Sequence, residues 1–208
     1  MLKKFKIPDA TIGRLSLYSR FLKEADDKGI ITVSSQQIAK ATGVTPAQVR
    51  KDLAYFGEFG TRGVGYNSKE LYNYIMKILG LSKRWKVAIV GAGNLGMALS
   101  QYKGFSERGF DIVCLFDNDP QKIGRKVSGI EVCPLSSIKD KVKIFNIELA
   151  VIAVPAYAAQ EVSDILVDAG IKGIINFAPV NITTPDNVML RRVDLAAQLE
   201  YLTYYLED

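Results

Sequence analysis

Apolar residues follow two different patterns along the chain, and the change between them separates two predicted units. In the first part they recur three and four positions apart, which is the spacing of amphipathic helices. In the second part, continuous apolar runs alternate with helical stretches, as in a parallel sheet buried on both faces. The pattern predicts an α/β protein with segments at 1–83, 84–193 and 194–208, the last being a C-terminal helix.

The first unit carries four predicted helices. The second and third form a helix-turn-helix, and the fourth, from Asn67 to about Trp85, is a connecting helix. Helix one follows Pro8 and has apolar residues at helical spacing, namely Ile12, Leu15, Tyr18 and Leu22. Ser34 and Thr45 are each followed three residues later by glutamine, which is the spacing of a capping box, and Pro46 suits a first helical turn. The short glycine-containing segment 41–44 connects the two helices that begin there.

The third helix presents a face that suits a DNA major groove. Val49, Leu53 and Phe56 form its predicted buried stripe. The opposite face and its flanks carry Ala47, Gln48, Arg50, Lys51, Ala54 and Tyr55. Alanine allows close approach, while basic and amide side chains reach base edges or phosphates. The alternative is an ordinary solvated helix face.

A predicted hairpin follows this helix. Residues 57–66 intersperse glycine with bulky side chains, which predicts a tight β-hairpin with Arg62 near its tip. A helix-turn-helix followed by a hairpin is a winged helix, and a wing arginine can enter a minor groove or contact a phosphate. A hairpin with a purely structural role is the alternative. The predicted DNA contacts are Thr45, Gln48, Arg50, Lys51, Tyr55 and Arg62.

A nucleotide site is predicted where the first strand of the second unit ends. The apolar run 87–90 leads into a G-x-G-x-x-G pattern, made of Gly91, Ala92, Gly93, Asn94, Leu95 and Gly96. The first glycine permits the turn, the second lets a pyrophosphate approach bare backbone, and the third lets the helix pack closely on the strand. The alternative is a glycine-rich turn that binds no ligand, and the sequence around the motif is needed to distinguish the two.

An acidic residue at the expected distance after the glycine motif favours a nucleotide site. A second strand over 111–116 ends at Asp117, about 20 residues after the third glycine, where a carboxylate accepts from a ribose hydroxyl. Its negative charge would repel the extra phosphate of NADP, so NAD is the favoured ligand. Basic residues in the loop 122–126 could hold that phosphate, which leaves NADP as an alternative, although the simpler interpretation is a solvated basic loop. A later strand is predicted from about Leu149 through Val154, and Val154 and Pro155 at its carboxyl end are predicted to line the nicotinamide pocket.

Composition argues against catalysis, metal binding and membrane insertion. The chain has no histidine, and none of its ten tyrosines is followed four residues later by lysine, as in short-chain dehydrogenases. Cys114 and Cys133 lack C-x-x-C spacing and are expected to be packed thiols. A net charge of +5 indicates an anionic partner. Without a membrane span or a secretory signal, a cytoplasmic location is expected.

Three segments together closely resemble the Rex family of redox-sensing transcriptional repressors. They are the recognition helix and wing at 49–66, the glycine motif at 91–96, and residues 173–180. The resemblance extends over nearly the whole chain. It implies a homodimer that binds a palindromic double-stranded DNA operator, takes NADH and NAD⁺ as ligands, and leaves the operator when NADH binds.

The resemblance also implies a switch and a dimer contact. Arg20, Tyr102 and Asp194 are implied to exchange polar partners with the ligand state. The final helix carries an apolar stripe of Leu195, Leu199, Leu202 and Leu206. Such stripes usually pack against their own domain, whereas the resemblance implies that this helix is exchanged into the partner subunit.

Two other classes of function stay open at this point. A small oxidoreductase would turn over NADH with a carbonyl substrate, but the sequence offers neither a general base nor a substrate domain. An interaction protein that binds coenzyme A or flavin would retain that ligand during purification.

Overall fold

A computed structural model describes residues 7–61 and 63–206. The chain divides into two compact units, Met1–Lys83 and Arg84–Asp208. Each unit is built on its own apolar core.

The first unit contains four helices and one small antiparallel sheet among its described residues. Its elements are α1 (Asp9–Asp27), β1 (Thr32–Val33), α2 (Ser35–Thr42), α3 (Pro46–Ala54), β2 (Tyr66–Asn67) and α4 (Ser68–Ile78). Leu15, Tyr18 and Leu22 of α1 are completely buried, as their helical spacing predicted. The predicted helix-turn-helix is confirmed as α2 and α3.

The two predicted capping boxes have different outcomes. At α2 the box is complete, because the Gln37 amide nitrogen donates to Ser34 Oγ and the Ser34 amide nitrogen donates to Gln37 Oε1. At α3 the Gln48 amide nitrogen donates to Thr45 Oγ1 at 3.1 Å, but the Gln48 side chain bonds to Asp52. The prediction of a reciprocal box at α3 was therefore wrong in its second half.

The predicted wing is more compact than a regular hairpin. Within its described part, Thr61 and Gly65 form a single antiparallel bridge, and the chain then enters β2, which pairs antiparallel with β1. The ring of Tyr74 lies edge-on to Phe59 with centroids 4.6 Å apart, and the Tyr74 hydroxyl donates to the Phe56 carbonyl. These contacts fix the wing on α4. Arg62, its predicted DNA contact, lies outside the described residues.

The second unit is a seven-stranded sheet in the order β5-β6-β4-β3-β7-β8-β9. Its strands are β3 (Trp85–Val90), β4 (Phe110–Asp117), β5 (Lys126–Val127), β6 (Ile130–Pro134), β7 (Leu149–Ile152), β8 (Gly173–Asn176) and β9 (Met189–Arg192). All neighbouring pairs are parallel except β5 with β6. Leaving β5 aside, this is the doubly wound dinucleotide-binding order, whose switch point lies between β3 and β7.

Helices cover both faces of this sheet. They are α5 (Asn94–Gln101), α6 (Lys103–Glu107), α7 (Ile138–Phe145) and α8 (Ala159–Asp168), followed by α9 (Leu195–Tyr204) at the end of the chain. Alternate residues of β3 enter different clusters, with Val90 in one and Ile89 in the other. This burial on both faces explains the continuous apolar run that predicted the strand.

Several boundaries differ from the sequence prediction. The connecting helix ends at Ile78, and Trp85 already begins β3. The strand expected to reach Val154 ends at Ile152, and a short 3₁₀ turn precedes α8. The edge strand β9 was not predicted, because its mostly exposed residues, Met-Leu-Arg-Arg, lack an apolar run. Backbone pairing with β8, which periodicity cannot reveal, defines it.

Ser163 offers a test of packing in the second unit. It is completely buried on α8, and its hydroxyl has no hydrogen-bond partner among the residues that the structure describes. Ser163→Ala is expected to raise the free energy of unfolding by about 1 kcal/mol, because an unsatisfied buried hydroxyl is costly. Urea unfolding measures the change. Ser100→Ala is the control, since the Ser100 hydroxyl donates to the Met97 carbonyl, and a lower midpoint for Ser163→Ala would contradict the expectation.

Candidate DNA interface and dinucleotide site

The outer face of α3 is basic and accessible, as the sequence predicted. Val49 and Leu53 are buried on the inner face, while Phe56 is partly buried beyond the helix end. The outward residues Thr45, Ala47, Arg50, Lys51, Ala54 and Tyr55 are exposed. This face therefore carries two cations and no anion at its surface, which suits contact with a polyanion.

A groove of about 910 Å³ runs between α2, the start of α3 and the wing. The N-cap residues Ser34 and Thr45 both line it, so the positive ends of two helices point in its direction. Arg50 also lines the groove, and its Nη1 donates to Ser35 Oγ at 3.0 Å. A phosphate backbone would meet both helix ends and a positioned guanidinium there.

Asp52 occupies the inner side of α3 and is completely buried. Its Oδ2 accepts hydrogen bonds from Arg14 Nε at 2.6 Å and the Tyr18 hydroxyl at 2.8 Å. Its Oδ1 accepts from Thr11 Oγ1, Arg14 Nη2 and Gln48 Nε2 at 3.1, 2.7 and 2.8 Å. Burial alone would raise the pKa of Asp52, but hydrogen bonds from Arg14, Tyr18, Gln48 and Thr11 hold it below its ordinary value.

Sequence reasoning missed this cluster. Asp52 lies between the outward Lys51 and the inward Leu53, so its position three residues after Val49 was an available signal for an inward carboxylate. Its partners on α1 are 34 to 41 residues away in the chain, and no local pattern connects them.

The glycine motif has the geometry expected of a phosphate loop. Gly91 has φ +103°, and a Cβ there would lie 2.4 Å from the Ala153 carbonyl oxygen. A Cβ on Gly96 would lie 1.8 Å from the Gly91 carbonyl oxygen, so α5 packs directly on the loop. A Cβ on Gly93 would meet nothing within 4 Å, which leaves open space beside bare backbone. The turn predicted at Gly91 and the close packing predicted at Gly96 are therefore present, while the approach of a pyrophosphate to Gly93 stays a prediction.

A cavity of about 620 Å³ lies beside this loop, at the carboxyl ends of β3, β4 and β7. The predicted cofactor residues that line it are Gly91, Gly93, Asn94, Leu95, Asp117, Val154 and Pro155. Ala92 is buried and Gly96 serves the packing of α5, so neither lines the cavity. The lining residues outside the predicted cofactor set are Val90, Asn118, Lys122, Leu135, Ala153, Tyr157, Ala158, Glu161 and Val162. Tyr157 follows Pro155 by two positions, which was a usable signal.

Asp117 is fixed at the rim of the cavity. Its Oδ2 accepts from the Ala92 amide at 2.8 Å and Lys122 Nζ at 3.1 Å, and its Oδ1 accepts from the Asp119 amide. Burial alone would raise the pKa of Asp117, but these hydrogen bonds and the lysine charge hold it below its ordinary value. Asp117 is therefore an anion at neutral pH. Lys122 pairs with it, so this lysine is not simply part of a solvated loop.

The three predicted switch residues lie on different elements. Arg20 is exposed on α1 of the first unit. In the second unit, Tyr102 lies between α5 and α6 with its ring edge-on to Phe105, and it is 61% exposed. Asp194 caps α9 by accepting from the Ala197 amide, and it also pairs with Arg192 Nη2 at 2.6 Å. The joint action of Arg20, Tyr102 and Asp194 stays a prediction.

The apolar stripe of α9 is open to solvent in the single chain. Its four leucines, Leu195, Leu199, Leu202 and Leu206, are between 55% and 80% exposed. The α9 helix has no buried residue, so the alternative in which the stripe packs against its own unit does not hold in the single chain. Exchange of α9 into a partner subunit stays a prediction.

Two further features are absent from the part of the chain that the structure describes. Residues 7–61 and 63–206 include no helix with the length and apolarity to cross a membrane. The same residues bring no group of three or more acidic, cysteine or histidine side chains together as metal ligands. The two cysteines are buried free thiols, as expected.

The fold and its two sites define a class of protein in which a winged helix-turn-helix precedes a doubly wound dinucleotide-binding unit. Two family models match the chain: "CoA binding domain" over residues 82–180 and "Putative DNA-binding protein N-terminus" over residues 6–54.

Relatives and solved structures give the family. The redox-sensing transcriptional repressor Rex of Desulfitobacterium hafniense is 58% identical over 98% of this chain and 97% of its own. Rex of Carboxydothermus hydrogenoformans is 59% identical over 98% of each chain. A crystal structure of RSP with β-NAD⁺ and operator DNA aligns over 98% of this chain and 94% of the RSP chain, with 39% sequence identity and a TM-score of 0.92. The chain belongs to the Rex family of redox-sensing transcriptional repressors.

Proposed function

We propose that this chain is a transcriptional repressor that binds an operator as a homodimer and is released from it when NADH binds. The observation that carries the proposal is the presence on one chain of two sites. One is the exposed basic face of α3, and the other is the cavity bounded by the glycine loop and the ionised Asp117. One chain thereby carries both a DNA-binding site and a dinucleotide-binding site. The members of its family are transcriptional regulators and not enzymes.

The DNA site is proposed to use both the helix and the groove beside it. Arg50 and Lys51 supply positive charge, Thr45 and Tyr55 flank them, and Gln48 lies near the helix N-terminus, where recognition residues usually lie. Arg62 is proposed to contribute from the wing. RSP, which is 39% identical to this chain, has been crystallised with operator DNA, and this supports DNA binding by the chain.

The dinucleotide site is proposed to hold NADH and NAD⁺. The open space beside Gly93 leaves its backbone accessible to a pyrophosphate, and the N-terminus of α5 favours its negative charge. Asp117 would accept from a ribose hydroxyl, and its charge disfavours NADP. Val154 and Pro155 would line the nicotinamide end. RSP has been crystallised with β-NAD⁺ and with β-NADH, which supports the same pair of ligands here.

Control of DNA by NADH requires two conformations with different affinities for the ligand. In a two-fold dimer, two recognition helices must meet half-sites about 34–36 Å apart, or a multiple of that distance. NADH releases the operator only if it prefers a conformation in which that separation is wrong, and a nearly complete switch needs roughly a 10⁴-fold preference. We propose that α9 transmits this conformational change between the two subunits. The protein is proposed to act in the cytoplasm.

Selection from a pool of random duplex DNA tests the proposal. The purified protein is tested at one salt concentration without ligand, with NAD⁺ and with NADH, because phosphate contacts make affinity depend steeply on salt. Enrichment of a palindrome that NADH alone releases is the expected result. Failure to enrich any sequence would remove the repressor function. NADH oxidation with carbonyl substrates, or retained coenzyme A or flavin, would then indicate the alternative classes.

Lys51→Ala is expected to weaken operator binding by about tenfold, because one phosphate contact is lost. The slope of log affinity against log salt concentration should fall by about one, since about one ion fewer is released on binding. Titrations at several salt concentrations measure both quantities. Lys69→Ala is the control, since Lys69 is exposed on α4 and its removal subtracts the same charge. Equal losses for both variants would mean that only net charge matters.

Tyr102→Phe tests the proposed switch. The ring is kept and only the hydroxyl is lost, so folding and NADH affinity should change little. The reduction of operator affinity by saturating NADH is expected to fall by at least fivefold, since a coupling free energy of about 1 kcal/mol corresponds to that factor. An unchanged effect of NADH would remove Tyr102 from the switch.

A further inference from the structure

The buried cluster around Asp52 connects α1 directly to the recognition helix. Four side chains donate to this one carboxylate, and three of them, Thr11, Arg14 and Tyr18, belong to α1. Arg14 donates to both oxygens of the Asp52 carboxylate, and this bidentate contact fixes the orientation of the carboxylate and its distance from the guanidinium group. Because Asp52 is inaccessible to water, the cluster ties α3 to α1 at a defined angle.

The fourth donor is Gln48, which lies one turn before Asp52 on the same helix. Its Nε2 is 2.8 Å from Asp52 Oδ1. A carboxylate only accepts hydrogen bonds, so the amide must turn its nitrogen to Asp52 and cannot turn its oxygen there. The orientation of the Gln48 amide is therefore determined by a residue that faces the protein interior.

We propose that Asp52 is a positioning residue for sequence reading, because it holds the Gln48 amide in one orientation so that the carbonyl oxygen is available as an acceptor to DNA. This inference rests on the proposed function of α3 as the recognition helix. The free oxygen would accept from an exocyclic amino group of cytosine or adenine in the major groove. A freely rotating amide would offer donor and acceptor alternately and would discriminate less between bases.

Asp52→Asn tests this role at nearly constant volume. An asparagine amide can direct an N–H group to Gln48, so that the Gln48 amide reverses and presents its nitrogen outward. Selection from random duplex DNA should then give an altered base preference at one position of each half-site. The ratio of operator affinity to non-specific affinity should fall about tenfold. Gln48→Met should lose preference at that same position.

The second unit offers a matched control. Gln160 Nε2 donates to Asp164 Oδ1 at 2.8 Å, which is the same glutamine–aspartate pair at the same four-residue spacing, on the exposed surface of α8. Asp164→Asn should leave the selected sequences unchanged. Selection of the wild-type sequence at the wild-type ratio by folded Asp52→Asn, or by Gln48→Met, would overturn the proposal.

A measurement on the wild-type protein covers the case in which Asp52→Asn does not fold. In ¹H–¹⁵N spectra, the Gln48 side-chain amide should be rigid, and one of its protons should exchange slowly with water. The exposed Gln36 on α2 provides the comparison, and Gln48→Met provides the assignment. A Gln48 amide as mobile as that of Gln36 would overturn the inference. This result does not depend on DNA, so it separates failure of the inference from failure of the repressor function.

Discussion

Gly96→Ala is expected to abolish the response to NADH while operator binding persists. A Cβ at this position would lie 1.8 Å from the Gly91 carbonyl oxygen and 3.4 Å from Ile89 Cγ2, so α5 must move away from β3. Such overpacking typically costs about 1–3 kcal/mol of stability. The displaced loop should raise the Kd for NADH about 100-fold, which is about 2.7 kcal/mol. Calorimetric titration and NADH-dependent release of the operator measure these effects.

Gly93→Ala is the informative comparison for this variant. Its Cβ would enter open space, and the backbone there has an extended conformation that alanine adopts easily. The fold should therefore keep its stability, while the methyl group blocks the approach of the pyrophosphate. Gly96→Ala should lose stability and ligand binding, whereas Gly93→Ala should lose ligand binding alone. Wild-type NADH affinity in Gly96→Ala would show that close packing of α5 is dispensable.

Leu199→Lys is expected to convert the dimer to a monomer and to weaken operator binding by about 100-fold or more. Leu199 is 65% exposed in the single chain, so lysine should not harm the fold of the subunit. Burying an ammonium group in the proposed dimer contact is unfavourable. Loss of the second half-site then removes the gain from bivalent binding, which is commonly 10²- to 10⁴-fold. Sedimentation and operator titration measure the two effects.

The charge change in this variant acts against the expected result. An added lysine strengthens attraction to DNA, so a loss of affinity cannot come from net charge. Glu200→Lys is the control, because Glu200 is also exposed but lies away from the leucine stripe of α9. It should remain dimeric and should bind the operator at least as well as wild type. A dimeric Leu199→Lys protein would contradict the role proposed for α9.

Local chemistry explains why much of the dinucleotide site was predictable. The turn at Gly91 and the close packing at Gly96 are requirements of the backbone within a six-residue motif. Asp117 is the last residue of the next strand, β4, so it could be located from the apolar run that precedes it. The neighbours of Asp117 were harder to predict, because its contact with Lys122 depends on how the loop after β4 folds back.

The helix-turn-helix was predictable for the same reason, but its internal contacts were not. Ser34, Thr45 and Pro46 mark two helix starts through interactions within one turn. Gln48 has two possible side-chain partners at helical spacing: the backbone of the N-cap Thr45 three residues before it, or Asp52 four residues after it. The buried carboxylate is the partner in the structure, because it needs every available donor to offset the loss of water.

The sequence by itself determined the helix-turn-helix, the glycine loop with its acid, and the alternation of strands and helices. These follow from periodicity and from steric limits that act over a few residues. Only the tertiary structure decided that Asp52 is the centre of a buried network, that β9 closes one edge of the sheet, and that the α9 stripe stays open to solvent. Each of these depends on which distant segment packs against a given residue, and contacts between distant segments are set by the packing of the whole unit.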